Sequence, residues 1–254
     1  MNRLKTFIEN SLCNRITGSL ILAGFKKFIP DIRSKNFSFI IHKNLIQPKN
    51  IASIFFGFYE RGEIRFINKY LNPLLDVIEL GASLGIVSSH IIRKLNKQSK
   101  LLLVEANPFL ESTITANVTK HNTNQIAYKV LNYAVSYNAD KVKLRITSDN
   151  TESRVIKDSI SQGTELSIET ISLLSLVNKL GEKKYALVCD IEGSEIEWII
   201  HESECLNNCQ QLLIELHAVD YGKHYSVDDI KNLIIDKHKF KLIDNRGPVC
   251  YFEK

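Results

Sequence analysis

The stretch that most constrains the fold is DVIELGASLGIV, residues 76–87, in which an apolar strand pattern runs directly into a turn with two glycines. Glu79 stands two residues before Gly81, and Gly85 follows within the same turn. Glycine permits backbone angles and close approach that a side chain forbids, and the helix expected after the turn begins with unpaired N–H groups. A small ligand can therefore contact this turn through bare backbone.

The turn differs from the dinucleotide-binding pattern G-x-G-x-x-G. Ser83 occupies the position of the second glycine, and Gly85 comes one residue early. The acid Glu79 would repel a pyrophosphate and attract a cationic group. The pattern therefore favours a ligand with a sulfonium amino acid portion over NAD.

Three further apolar runs are typical of parallel strands that are buried on both faces. They are residues 100–106, KLLLVEA, residues 185–191, YALVCDI, and residues 211–216, QLLIEL. Together with the first strand they carry acids near their carboxyl ends: Glu79, Glu105, Asp190 and Glu215. In open parallel sheets ligands bind at that edge, and an acid after the second strand can accept hydrogen bonds from a ribose diol. The sequence predicts a doubly wound, mostly parallel α/β sheet with these acids at one edge.

The remaining elements follow from apolar periodicity and from turn residues. The pattern predicts helices over Leu4–Leu22, Glu60–Leu71, Ser88–Lys94, Asn107–Lys120, Ile168–Leu180, Ser194–His201 and Val227–His238. It predicts further strands at FSFII (37–41), NLIQ (44–47), Tyr128–Val135 and Lys141–Ile146, and a closing antiparallel hairpin of Phe240–Ile243 and Cys250–Phe252. The polar stretch Ser148–Gly163 is predicted as a loop, a candidate substrate lid.

Charge is distributed unevenly along the chain. Residues 1–50 hold nine Lys or Arg against two acids, a net +7, which leaves −2 for the remainder of a chain whose total is +5. A solvated basic face is the simplest interpretation, and contact with an anionic membrane surface, a phosphorylated lipid carrier or nucleic acid is the alternative. With 254 residues and 44% hydrophobic content, we expect one domain at 59–254 and an N-terminal extension at 1–58.

Cysteine usage and apolar runs bear on location. The five cysteines are an odd number at irregular spacings, which favours reduced thiols. The apolar run Ile16–Phe25 is shorter than the ~20 residues that span a bilayer. No convincing small-residue cleavage site precedes Lys26 and Lys27, so a secretory signal is not expected. We expect a cytoplasmic protein.

The segments ELGASLG, VEANP, CDIEGSE and IELHA together resemble, in order and spacing, the FkbM family of S-adenosyl-L-methionine-dependent methyltransferases. The resemblance covers Tyr59–Lys254, and its most specific piece is DIEGSE, residues 190–195. It implies the Rossmann-like (class I) methyltransferase fold and O-methylation of a hydroxyl on a sugar, a glycan or a natural product. The implied partner is a small-molecule or glycan acceptor, and nucleic acid is not expected.

The resemblance also implies roles for individual residues. The glycine turn would hold the methionine portion of the cofactor, Glu105 would bind the ribose hydroxyls, and the region of Tyr133 and Ala134 would lie along the adenine. The pair Tyr59–Glu60 resembles one that the family places ahead of the glycine turn. The implied cofactor-binding residues are Glu60, Glu79, Gly81, Ala82, Ser83, Gly85, Glu105, Ala106, Asn107, Ala134 and Asp190.

Methyl transfer to an alcohol requires the acceptor oxygen to be held in line and its proton to be removed. Asp190 is the best-placed base, and Glu192 would orient it or bind an acceptor hydroxyl. His217 is the rival base, because its unperturbed pKa of ~6.5 suits proton transfer near neutrality. Asp190 could instead cap the helix that begins near Ser194.

Three alternatives stay open at this point. Asp190, Glu215 and His217 could bind a divalent cation such as Mg²⁺, which would lower the pKa of the acceptor hydroxyl. A nucleic-acid methyltransferase is a second function class, although residues 189–193, CDIEG, match neither the Asn/Asp-Pro-Pro-aromatic motif nor a Pro-Cys nucleophile. A non-catalytic binding module of the same fold is the third.

Overall fold

The computed structural model describes residues 2–25, 28–34, 36–42, 45–146, 154–155, 164–181 and 183–254. The helices are α1 Asn2–Leu12, α2 Arg15–Phe25, α3 Pro48–Phe55, α4 Arg61–Tyr70, α5 Ile86–Lys94, α6 Glu111–His121, α7 Leu173–Leu180, α8 Glu195–His201 and α9 Val227–Asp236. The strands are β1 Phe28–Pro30, β2 Ser38–Ile40, β3 Asp76–Leu80, β4 Lys100–Val104, β5 Ala127–Leu131, β6 Ala134–Val135, β7 Lys141–Ile146, β8 Arg154–Val155, β9 Thr164–Ile171, β10 Tyr185–Cys189, β11 Cys209–Glu215, β12 Val219–Tyr221, β13 Lys223–Tyr225, β14 Lys241–Arg246 and β15 Val249–Glu253.

The central sheet has seven strands in the order β14-β15-β11-β10-β3-β4-β5. Strands β5, β4, β3, β10 and β11 run parallel, and β15 is antiparallel to both β11 and β14. This arrangement confirms the predicted Rossmann-like, doubly wound sheet with its antiparallel C-terminal hairpin. The order of the strands reverses between β3 and β10, and such a switch point is where an open α/β sheet binds ligands.

Both faces of the sheet are covered, which explains the unbroken apolar runs of its central strands. All residues of β3 and β10 are buried. Along β3 the side chains alternate, since Val77 packs into one hydrophobic cluster while Ile78 and Leu80 pack into the other. The strands are thereby held between two apolar layers, and their polar chemistry is confined to their ends.

The N-terminal segment differs from the prediction. The single helix predicted over Leu4–Leu22 is two helices, because the Asn14 side chain accepts a hydrogen bond from the Thr17 N–H at 2.9 Å and so starts α2. Residues 45–47 of the predicted strand NLIQ form no strand. Instead β1 pairs with β2, and α3 begins at Pro48, a residue that suits the first helical turn.

The predicted N-terminal extension packs directly on the core. Ile29, Phe39 and Ile51 are at most 1% exposed and belong to the same hydrophobic cluster as Val77 of β3. The buried Asn117 side chain accepts from the Ile40 N–H at 2.6 Å, and its amide donates to the Leu84 carbonyl at 2.8 Å. One side chain of α6 therefore joins β2 to the glycine turn.

A second difference lies ahead of α7. The pattern over Ile168–Leu180 predicts one helix, but the residues before Ser172 form β9, which pairs antiparallel with β7 over residues 164–169. Ser172 then caps α7 by accepting from the Ser175 N–H at 3.1 Å. The predicted lid Ser148–Gly163, apart from β8, lies outside the described residues. Within the described ranges, no helix is long and apolar enough to cross a membrane.

Candidate functional site

A cavity of about 260 Å³ opens at the carboxyl edge of the parallel strands. Its volume approaches the roughly 300–1,000 Å³ of small-molecule sites. The glycine turn, the ends of β4 and β10, the residues after β5 and the N-terminal segment all contribute to its walls. Among the described residues it is lined by Asn50, Tyr59, Glu60, Gly81, Ser83, Val104, Glu105, Ala106, Leu110, Tyr133, Ala134, Val135, Leu144, Asp190, Ile191, Glu192 and Ser194.

Gly81 fits between the ends of two strands. Its N–H donates to the Val104 carbonyl at 2.9 Å, and the Asp190 N–H donates to the Leu80 carbonyl at 3.0 Å. At its φ of +86°, an added Cβ would lie 1.8 Å from the Asp190 carbonyl oxygen. Glycine is therefore required here by both backbone conformation and space.

Glu105 organises the loops around the cavity. One carboxylate oxygen accepts from the Ser83 N–H and the other from the Asn107 N–H, each at 2.8 Å. Burial raises the pKa of Glu105, and these backbone donors oppose the shift. Because each carboxylate oxygen can accept a further hydrogen bond, this arrangement is compatible with binding a diol.

The predicted cofactor residues divide into two groups. Those that line the cavity are Glu60, Gly81, Ser83, Glu105, Ala106, Ala134 and Asp190, and those that do not are Glu79, Ala82, Gly85 and Asn107. Glu79 is 1% exposed, and burial raises its pKa to about 8. Burial therefore opposes ionisation of Glu79, and with it the negative charge that is expected beside the glycine turn.

Asp190 follows β10 and carries a carboxyl suited to proton transfer. Burial, reinforced by the charges of Glu215 and Glu192, raises its pKa to about 7, while His217 opposes the shift. Among the described residues, the N-cap position of α8 is Ser194 with no side-chain cap hydrogen bond, and the buried Asp190 Oδ1 has no hydrogen-bond partner. The capping alternative for Asp190 therefore has no support from its contacts.

His217 lies beside the cavity between two carboxylates. Its Nδ1 is 3.3 Å from Glu195 Oε1, and its Nε2 is 3.8 Å from Glu192 Oε2. The hydrogen bond with the fully buried Glu195 is the main cause that raises the pKa of His217 to about 9. The imidazole is therefore protonated at neutral pH, and it acts as a charge partner of the acids around it.

Among the described residues, two sets of side chains each bring three ligand atoms within 4.8 Å of one another, a spacing compatible with binding a cation. One comprises Asp190, Glu192 and His217, and the other comprises Glu63, Asp190 and Glu215. Burial, followed by the hydrogen bond with Glu63, raises the pKa of Glu215 to about 8. The predicted combination of Asp190, Glu215 and His217 is thus divided between two sets, and the cation stays a prediction.

Several site residues carry no signal in the sequence. Asn50 reaches the cavity from α3, a helix that was not predicted, and Leu144 reaches it from β7. Glu63 has the spacing of a surface acid on α4 but is 5% exposed. Glu60 was indicated only by the resemblance; it precedes α4 with a φ of +46°, and burial together with neighbouring acids raises its pKa well above the ordinary value.

Comparison with solved structures finds similar folds at low sequence identity. One is precorrin-6y C5,15-methyltransferase from Geobacter metallireducens, with a TM-score of 0.44 and 12% identity over 85% of this chain and 95% of that chain. Another is a proposed RNA methyltransferase from Pyrococcus horikoshii, with a TM-score of 0.41 and 12% identity over 93% and 98%. A third is a proposed O-methyltransferase from Klebsiella pneumoniae, with a TM-score of 0.40 and 10% identity over 76% and 78%.

No protein-family model matches the chain, and no curated protein matches it.

Proposed function

We propose that this protein is an S-adenosyl-L-methionine-dependent O-methyltransferase of the FkbM type that acts on a hydroxyl of a sugar, a glycan or a natural product. The observation that carries the proposal is one cavity at the switch point of the sheet that brings together Gly81, Glu105 and Asp190. These supply a bare backbone surface, a ribose acceptor and a carboxyl whose pKa is about 7.

The polar groups of the cavity fit the cofactor. Within the part of the chain that the structure describes, the buried atoms Ser83 Oγ and Asp190 Oδ1 have no hydrogen-bond partner, and buried polar atoms ordinarily have one. Tyr133, Ala134 and Leu144 offer a largely apolar wall for a purine. S-Adenosyl-L-methionine would supply an electrophilic methyl group to the acceptor oxygen.

In this proposal Asp190 is the base that takes the acceptor proton. A pKa of about 7 leaves a substantial ionised fraction at neutral pH while keeping the group basic. Glu192 lines the cavity beside it and would bind the acceptor hydroxyl. Protonated His217 lowers the pKa of Asp190 and so keeps it ionised, which favours Asp190 over His217 as the base.

Titration calorimetry with S-adenosyl-L-methionine, and separately with NAD, tests the cofactor. We expect the wild type to bind the first and not the second. Gly81→Ala should abolish binding, because its Cβ would collide with the Asp190 carbonyl. Gly247→Ala is the matched control, since Gly247 also has a positive φ, +64°, but has nothing within 4 Å of an added Cβ. A folded wild type that does not bind S-adenosyl-L-methionine contradicts the proposal.

Asp190→Asn separates chemistry from binding. We expect cofactor affinity within a few-fold of wild type and methyl transfer lower by about 10²–10⁴-fold, the usual contribution of a general base. Transfer of a labelled methyl group would be measured to pooled glycans and, in parallel, to RNA, each with and without magnesium. Transfer only to RNA would replace the glycan proposal, and full activity in Asp190→Asn would remove Asp190 from its role.

A further inference from the structure

We propose that the exposed face of α2, formed by Ile16 and Leu20, docks on an anionic phospholipid surface. This inference goes beyond the proposed methyl transfer and does not rest on it. Helix α2 has the sequence RITGSLILAGF, which is apolar on both sides. A helix that is hydrophobic all round needs cover on every side.

The inner side of α2 is already covered by α3. Gly18 and Ile21 are its buried residues. An added Cβ at Gly18 would lie 1.7 Å from the Pro48 carbonyl oxygen, which shows how closely α2 approaches the start of α3. On the opposite side, Ile16 is 76% exposed and Leu20 is 69% exposed. Residues four apart share one helical face, so these two side chains form an exposed apolar stripe.

Exposed apolar residues are concentrated in the N-terminal part of the described sequence. Seven of its eleven exposed large hydrophobic side chains lie within residues 7–32, and the other four are dispersed between residues 74 and 243. Phe7 and Ile8 are exposed on α1, and Ile16 and Leu20 are exposed on α2, whereas the ring of Phe25 packs 5.6 Å from that of Phe55. Single exposed apolar residues are ordinary, whereas a cluster of this kind indicates a binding surface.

The positive charge of the N-terminal segment indicates what kind of surface this face binds. The first 50 residues carry a net +7. Arg15 is exposed beside Ile16, and in the sequence Lys26 and Lys27 separate Phe25 from Phe28. Apolar side chains flanked by basic residues are the composition of helices that lie in the interface of anionic membranes.

Two other occupants fit the observations less well. A second copy of the chain would bring two segments of +7 together, and like charges oppose that contact. Nucleic acid would use the charge but not the stripe, because Ile16 and Leu20 offer neither donors to phosphates nor rings to stack on bases. A lipid surface uses both the charge and the apolar stripe.

Co-sedimentation of the full chain with vesicles tests the proposal. Wild type should bind vesicles of phosphatidylcholine with phosphatidylglycerol, bind phosphatidylcholine alone much more weakly, and dissociate as salt rises. The double variant Ile16→Ser/Leu20→Ser should bind at least about tenfold more weakly, because two apolar side chains no longer leave water. Leu74→Ser is the matched control, since Leu74 is 70% exposed at a distant site and should not affect binding.

Each other outcome contradicts the proposal. Equal binding to both vesicle types removes the role of charge, and unchanged binding of the double variant removes the role of the stripe. A lipid-free dimer of the wild type that becomes a monomer in the double variant assigns the face to a second copy. Calorimetry should show unchanged S-adenosyl-L-methionine binding by the double variant, because neither residue lines the cavity, so failure of membrane docking and failure of the proposed function are distinguishable.

Discussion

Two clusters of side chains in the described structure place histidines in opposite electrostatic environments. The first cluster is His90 and His121 around Phe37, and the second cluster is His217 with Glu192 and Glu195. His90 and His121 flank the ring of Phe37, with ring centroids 3.9 Å and 4.7 Å away. Burial lowers the pKa of His90 to about 4, whereas the contact with Glu195 raises the pKa of His217 to about 9. The same side chain is thus a neutral packing group where the N-terminal segment meets the core, and a cation beside the cavity. The neighbouring groups, and not the residue type, decide which histidine can take part in chemistry.

The largest effect should come from removing the packing at the first cluster. Phe37→Ala deletes the ring between the two imidazoles. Because Phe37 is only partly buried, we expect the free energy of unfolding to fall by about 2.5 kcal/mol, less than the ~3–5 kcal/mol of a fully buried Phe. Denaturant unfolding measures this loss. Phe109→Ala is the control, because Phe109 is 53% exposed and should cost less than about 0.5 kcal/mol. Equal losses in the two variants would show that the stack contributes nothing to stability.

The acid sensitivity of the first cluster should be the next largest effect. His90 has a folded pKa of about 4, below its ordinary value, so the unfolded chain binds more protons between these two pKa values and stability falls as the pH falls. Linkage predicts a loss of about 2 kcal/mol between about pH 7 and about pH 5 from this group. The raised pKa values of Asp190 and Glu215 act in the opposite direction. The free energy of unfolding should therefore be measured against pH for the wild type and for His90→Asn, and compared. Identical pH profiles in the two proteins would contradict the prediction.

The smallest effect should appear at the second cluster. Glu195→Gln removes the carboxylate that raises the pKa of His217, so that pKa should fall by about 1 unit or more, equivalent to about 1.4 kcal/mol. The stabilisation from His217 is complete below its unfolded pKa and is lost as the pH rises through about 9, so in the variant it is lost at lower pH. An NMR titration of the histidine ring signals reports the shift, with His90 as the internal control. If the pKa of His217 does not change in the variant, then Glu192, and not Glu195, is the carboxylate that raises it.

The elements that could be predicted from the sequence are those with a local signal. Strands β3, β10 and β11 are continuous apolar runs because helices cover both faces of the sheet. Strand β9 could not be predicted, because it is defined by antiparallel pairing with β7, and a pairing partner distant in sequence leaves no mark on local periodicity. The break between α1 and α2 depends on one asparagine side chain.

The candidate site divides in the same way. Gly81, Glu105 and Asp190 could be predicted because they come at strand ends, where topology places ligands. Glu63 and Glu195 could not, because each lies in the first turn of a helix, where an acid ordinarily faces solvent. Their burial follows from the packing of α4 and α8 on the sheet, which a single sequence does not specify.

The position of β15 has a consequence for how the chain reaches its native state. This strand inserts between β11 and β14 although it follows both in the sequence. Until residues 249–253 are in place, β11 exposes an unpaired edge of backbone donors and acceptors next to an apolar surface. Closing the sheet is therefore a non-local step, and such steps are slow in folding and open to aggregation. A ribosome-bound chain that stops short of β15 holds the edge of β11 open to other chains.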